Sequence, residues 1–319
     1  MNNLGGRATR GGVGTVLFGL ALTAVALLAG WLAGAAYDTR PGEGATSFSS
    51  DVLAAEAPPR LDIPTPTPTL PAGFPYVSAN SIALVEGNCG ALIYGRNEHD
   101  RMRPASLTKL MTAAVAVDQA SLDLMITSDV DGAALQDETG STVMGLQPGM
   151  ELSLLDLLYG LLLPSGNDAA IAIADGVAGS QEDFVELMNA KAQSLALDDS
   201  HFANPHGLDD DDLYSSAYDM AVLARYVMEN PDLRTIVATT SWQPRWDGGE
   251  VWNGNAFILD YEGADGVKIG NTESAQQTIV GSATRGGRRI IVSLMRSQDR
   301  YQDSARLFDW AFAQPSACP

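Results

Sequence analysis

Gly11 to Tyr37 contains no charged residue. As a helix this run would be about 40 Å long at ~1.5 Å per residue, enough to cross a hydrocarbon core of about 30 Å with some tilt. Arg7 and Arg10 precede it, and Asp38 and Arg40 follow. The positive flank is expected to stay inside, which leaves residues 1–10 in the cytoplasm and sends the rest of the chain across the membrane. The competing reading is a cleaved export signal, for which Ala33-Gly34-Ala35 has the small-residue pattern. Its apolar stretch is longer than the usual ~7–15 residues of such signals, so an anchor over residues 11–37 is the expectation. Both readings place the remainder outside the cytoplasm.

Residues 38–75 hold half of the chain's 16 prolines, with PTPTPTLP from Pro64 to Pro71. Proline cannot donate to a ladder and favours a solvated, semi-rigid polyproline II path. Extended at ~3.1 Å per residue, the segment reaches on the order of 100 Å, the reading being a Pro/Thr-rich linker. Residues 76–319 are then one folded domain. The whole chain is 45% hydrophobic, enough for a sizeable core. Its net charge of -20 excludes nucleic acid as a partner, because duplex affinity comes largely from neutralised phosphates. Two cysteines and three histidines are too few for a zinc framework.

Within the domain, Ser81–Glu86 and Ala91–Tyr94 flank Gly87-Asn88-Cys89-Gly90 and read as a hairpin. Helices are expected over Leu107–Val117, Leu152–Leu163, Asp168–Val177, Ser180–Leu195 and Ala217–Val227. Ser180 with Asp183 resembles a capping box for the fourth of these. Strands are expected over Val251–Leu259, Gly266–Gly270, Thr278–Ala283 and Arg289–Met295, with a closing helix over Tyr301–Phe312. That order predicts an α+β fold, an antiparallel sheet packed against helices.

Three short patterns carry chemistry. In Ser106-Leu107-Thr108-Lys109 the first and fourth residues share a helix face, so the amine can reach the hydroxyl. Serine needs such a base, and lysine serves only if its pKa falls from about 10.4 toward neutrality. Ser165-Gly166-Asn167 follows Pro164 between two apolar helices, where the polar side chains either face a site or cap the next helix. Lys268-Ile269-Gly270-Asn271-Thr272 lies on a strand and its exit, where glycine allows close approach of a ligand. Each alone is an ordinary surface pattern.

In this order, S-x-x-K, S-x-N and K-x-G resemble the signature of penicillin-interacting serine enzymes. The segments RPASLTKLMTA, LQPGMELSLLDLLYGLLLPSGNDAAIAIAD, FVELMNAKAQSL, FANPHGL and YSSAYDMAVLAR are similar to those of the serine-type D-alanyl-D-alanine carboxypeptidases, the low-molecular-mass penicillin-binding proteins. The resemblance runs from about Ser81 to Phe312. It implies a serine β-lactamase/transpeptidase-like fold with a mainly helical subdomain. It implies Ser106 as nucleophile, Lys109 as its base and Ser165 as a proton relay to the leaving group. Asn167 would hold the peptide amide, Lys268 the terminal carboxylate, and the backbone N–H groups of Ser106 and Asn271 the oxyanion. The implied reaction releases the last D-alanine of a peptidoglycan stem peptide through an acyl-serine, with no cofactor or metal, and β-lactams would acylate the same serine.

The third motif departs from the K-T-G of the family at Ile269. Both residues are β-branched, so the strand survives, but a lost hydroxyl contact costs about 1–3 kcal/mol. A weakly active or non-catalytic peptidoglycan-binding homologue is therefore an alternative, as is a D,D-endopeptidase, which shares every motif. Thr272 is placed with the substrate-binding residues as partial compensation. A class A β-lactamase is disfavoured because SGN stands where that group has S-D-N. The HGL after Pro205 is read as a structural turn and Asp209–Asp212 as a solvated loop. First and last elements are neighbours in the resembled fold, so Cys89 and Cys318 either form a disulfide, as an exported chain permits, or remain two thiols. The N-terminal segment would take the place of the C-terminal amphipathic anchor seen in some relatives.

Overall fold

The computed structural model describes residues 70–246 and 248–319. The expected anchor and most of the linker lie outside the described residues. Among the described residues no helix is long and apolar enough to cross a membrane.

Five strands form an antiparallel sheet in the order β2-β1-β9-β8-β7: β1 (Ser81–Glu86), β2 (Leu92–Arg96), β7 (Ala264–Thr272), β8 (Gln276–Arg285) and β9 (Arg288–Ser297). Successive strand residues face opposite sides, and here both sides are apolar. Ile82, Leu84, Ile290, Val292 and Leu294 pack with Leu307 and Phe308 of the closing helix α9 (Arg300–Ala313). Ala83, Val85, Ile291 and Met295 belong instead to the core shared with the helical layer. A sheet covered on both faces explains why its strands read as continuous apolar runs.

The helical layer is built around α1 (Lys109–Gln119), which packs against α3 (Leu154–Leu162), α4 (Asn167–Ala178), α5 (Gln181–Ser194) and α6 (Ala217–Glu229). Alanines 113, 114 and 116 on α1 are fully buried and let these neighbours approach. Buried Phe184 and Phe202 fill the same core, each burial contributing about 1.5–3 kcal/mol. Asp168 is also fully buried. Its carboxylate accepts the backbone N–H groups of Met144, Gly145, Leu146 and Ala169 at 2.8–2.9 Å, which fastens the Met144–Leu146 segment to α4.

The hairpin, the capping box at Ser180 and the order of the principal elements match the sequence reading. Ser180 Oγ accepts from Asp183 N and donates to Asp183 Oδ2. Three boundaries are corrected. The expected helix from Leu107 is a 3-10 turn over Ala105–Thr108 followed by α1. The expected helix from Leu152 begins as β4 (Met150–Ser153), which pairs with β3 (Met125–Ser128), and becomes α3 where Ser153 caps Asp156 N. The expected strand Val251–Leu259 is only β6 (Val251–Trp252), paired with β5 (Ser241–Trp242). Its second half folds as α8 (Phe257–Asp260), where Asn255 Oδ1 accepts Phe257 N. Two helices were not anticipated: α2 (Gly132–Thr139), capped by Asp131, and α7 (Pro231–Ala238), capped by Asn230 with proline at its first position.

Cys89 and Cys318 form a disulfide, with Cα atoms 5.9 Å apart. It joins the β1–β2 turn to the segment after α9. Glu86, fully buried, accepts a forked pair from Arg288 and the backbone N–H of Ala317 beside this bond. Phe74, in the segment read as linker, packs its ring 4.1 Å from Tyr94 and 5.0 Å from Trp310.

Candidate active site

Three pieces of chain converge on Ser106. The 3-10 turn holds its hydroxyl, with Ala105 in a left-handed conformation at φ 52°. The loop Ser165-Gly166, trapped between α3 and α4, supplies the second wall. Edge strand β7 supplies the third. Gly270 is what lets β7 come so close: a Cβ there would lie 2.9 Å from Ser106 N, 2.6 Å from Thr278 Oγ1 and 3.0 Å from Ala105 Cβ.

Lys109 is fully buried. Its Nζ has three partners: Ser106 Oγ at 3.1 Å, Asn167 Oδ1 at 2.6 Å and the carbonyl of His206 at 2.6 Å. Two of these oxygens can only accept. A neutral amine has two N–H bonds, which satisfy both, and one lone pair, which is left for the serine O–H. The geometry therefore suits a base. Burial depresses the Lys109 pKa well below its ordinary value, Lys268 adds repulsion, and Asp168 partly opposes both. His206 contributes through its carbonyl. Its ring, held near pKa 3 by burial and by Lys109, is neutral.

Lys268 is buried at 2% exposure, and its Nζ donates to the carbonyl of Ile269 at 3.1 Å. Burial, reinforced by Arg300, lowers its pKa to about 7. Arg300 was missed in the sequence. It opens α9 and donates to the carbonyls of Gly270 at 2.6 Å and Thr278 at 3.1 Å, and to Gln277 Oε1 at 3.2 Å. Lys109, Lys268 and Arg300 thus gather three basic side chains in a chain of net charge -20. No local pattern marks Arg300, because its role depends on the strand packed beside it.

Ser106 lies where two depressions meet. A groove of about 640 Å³ is lined by Ser106, Thr142, Asn167, Asn271 and Thr272. A recess of about 220 Å³ is lined by Ser106, Pro164, Ser165, Lys268, Ile269 and Arg300. Ser165 Oγ is buried and has no hydrogen-bond partner, and its backbone is left-handed at φ 70°. In this structure it makes no hydrogen bond to Ser106 or Lys109. Asn167 does not cap α4, since the cap position is Gly166 and the amide goes to Lys109. Thr272 is separated from Ile269: it lines the groove, donates to Asp209 Oδ1 at 2.8 Å and accepts Ala275 N at 3.1 Å. Arg300 lines the recess together with Lys268 and Ile269.

The family model described as D-alanyl-D-alanine carboxypeptidase matches residues 69–299. This chain belongs to that family. It is 36% identical over 256 residues to D-alanyl-D-alanine carboxypeptidase DacB2 of Mycobacterium tuberculosis, covering 76% of this chain and 86% of the relative. It is 34% identical over 248 residues to D-alanyl-D-alanine carboxypeptidase DacF of Bacillus subtilis, covering 76% of this chain and 64% of the relative. The chain thus spans a little under two thirds of the length of several curated relatives it matches. Among solved structures, a D-alanyl-D-alanine carboxypeptidase from M. tuberculosis H37Rv superposes with a TM-score of 0.72 at 34% identity, covering 79% of this chain and 97% of that one. The expected α+β penicillin-binding fold is therefore the fold observed.

Proposed function

We propose that this family member is a serine D-Ala-D-Ala carboxypeptidase acting on peptidoglycan stem peptides, held at the cell membrane by residues 11–37 with its catalytic domain outside the cytoplasm. The observation that carries the reaction is the coordination of Lys109 Nζ, with two fixed acceptors and one serine hydroxyl. In this reading Lys109 takes the Ser106 proton as Oγ attacks the carbonyl carbon of the penultimate residue. The Ser106 and Asn271 backbone N–H groups receive the oxyanion. Asn167 orients the peptide amide from the groove. The departing amine of D-alanine receives a proton by way of Ser165, and its carboxylate is held by Lys268 and Arg300 in the recess. Water then cleaves the ester, with Lys109 again as base. β-Lactams acylate the same oxygen and hydrolyse slowly. Ile269 favours weak turnover as a second reading, since no hydroxyl stands at that position of the recess.

The test is labelling of intact cells with a membrane-impermeant fluorescent penicillin, followed by fractionation. A labelled band in the membrane fraction, lost in Ser106→Ala, is the expected result. A protein that retains stem peptide but never takes label would overturn the enzymatic reading.

A further inference from the structure

The turn after β7 is shared between the groove and a separate hollow. Thr272 and Glu273 line the groove, whereas Ser274 and Ala275 line a hollow of about 390 Å³. The neighbouring loop divides in the same way, with Asp209 on the groove and Asp211 on the hollow. Arg101, Arg103 and Arg296 meet in that hollow, three of only 19 basic residues in a strongly acidic chain.

The three guanidinium groups are unequally occupied. Arg101 lies over the Tyr214 ring at 4.9 Å, with Nε 3.6 Å from Asp199. Arg103 donates to the carbonyl of Leu213 at 2.8 Å and to Asp211 Oδ1 at 2.9 Å. The Asp211 side chain is otherwise bathed in solvent, so this ion pair is weak and readily exchanged. Arg296 is exposed and donates only to the carbonyl of Ser274 at 3.1 Å, with no carboxylate partner among the described residues. Its backbone is left-handed at φ 54°, a conformation uncommon outside glycine. Guanidinium groups are ready partners for carboxylates, and Asp211 on Arg103, through a single N–H···O contact, is an intramolecular instance.

We propose that this hollow is an accessory subsite for a carboxylate of the wall peptides, which replaces Asp211 on Arg103 and adds Arg296. It would act as a second handle on a polymeric substrate whose stem lies in the groove and whose terminal residue reaches the recess. Naming the ligand as wall peptide rests on the function proposed above; the carboxylate chemistry does not.

The experiment measures binding of the full chain in detergent to purified, insoluble peptidoglycan at physiological salt. Arg296→Gln is expected to bind about threefold more weakly than wild type, as loss of a solvent-exposed ion pair implies. Arg306→Gln, a surface arginine on α9, is expected to bind as wild type does. On peptidoglycan whose carboxylates have been converted to amides, wild type and Arg296→Gln are expected to bind alike. Penicillin labelling of Arg296→Gln should be unchanged, which shows an intact fold and cleft. Equal binding of wild type and Arg296→Gln to native peptidoglycan overturns the proposal. So does a difference that survives amidation and vanishes once phosphate-bearing polymers are stripped with hydrofluoric acid, which would make the ligand a phosphate polymer. A binding difference that obeys these expectations in a protein that releases no D-alanine would retain the subsite while overturning the reaction.

Discussion

The chemistry of Ser106 depends on two lysines that burial pulls in the same direction. In the proposed reaction Lys109 is useful only when neutral, and Lys268 holds a carboxylate best when charged. Rate as kcat/KM should therefore rise with pH as Lys109 loses its proton, then fall as Lys268 discharges near its pKa of about 7. In Lys268→Met the alkaline limb should disappear. The acid limb should move to higher pH, because Lys109 is freed from a repelling neighbour. A profile with unchanged limbs would remove Lys268 from this role. Stability follows the opposite logic from a salt bridge. The folded Lys268 pKa lies below the unfolded value of 10.5, so the burial cost is full below pH 7 and is relieved as pH climbs from there to about 10.5. The side chain at Ile269 gives a second expectation. Ile269→Thr restores a hydroxyl beside Lys268 and Arg300, and D-alanine release should rise by about fivefold or more, the lower end of one hydrogen bond's worth. No gain would mean that Arg300 already saturates the carboxylate. The residues with a local pattern, Ser106, Lys109, Ser165, Asn167 and Lys268, were all legible in the sequence. Arg300 and the His206 carbonyl were not. The first acts through the backbone of a distant strand, and the second through an atom every residue possesses.

At the scale of elements, the site depends on how closely an edge strand can press against a helical turn. Gly270 faces Ser106 N at a separation that no side chain tolerates. Gly270→Ala should keep the fold, since a shift of β7 relieves the clash at about 1–3 kcal/mol. It should slow penicillin labelling at least a hundredfold by opening the gap between Ser106 and Asn271. Circular dichroism beside the labelling rate separates the two effects, and normal labelling would show that the contact is not needed. The elements themselves were unevenly readable. β1, β8 and β9 were plain because apolar runs bounded by turns leave little choice. β4 was absorbed into the α3 helix because MELSLLDLLYGLL is rich in leucine on both sides of the junction, and a short apolar run does not by itself separate strand from helix. The signal was nevertheless present in Ser153 and Asp156, one helical cap apart. The Val251–Leu259 run failed for the reverse reason. Asn253-Gly254-Asn255 breaks it, and the asparagine side chains turn the chain into α8 rather than onward along a sheet.

For the whole molecule, the disulfide closes the chain from the first hairpin to the end, a separation of 229 residues. Bonds that close long loops restrict the unfolded chain most, so Cys318→Ser should lower stability by about 2–5 kcal/mol. Denaturant unfolding would measure it. Penicillin labelling of the folded variant should persist, because the bond is made at the β1–β2 turn, a part of the chain that contributes no residue to either wall of the cleft. A lost label in folded protein would tie the bond to the site. The pairing was open in the sequence because nothing local says whether two lone cysteines meet; only the adjacency of β1 and α9 decides it.

The unequal chambers on either side of Ser106 carry one further implication. In the proposed reaction, once the ester has formed, the groove would stay filled by the esterified half of the peptide while the recess empties. The nucleophile that releases the enzyme would then have the vacated recess of about 220 Å³ to enter, whose walls include Pro164 and Ile269. In the proposed reaction, the choice between water and a peptide amine as the incoming nucleophile would then fall to the walls of that recess.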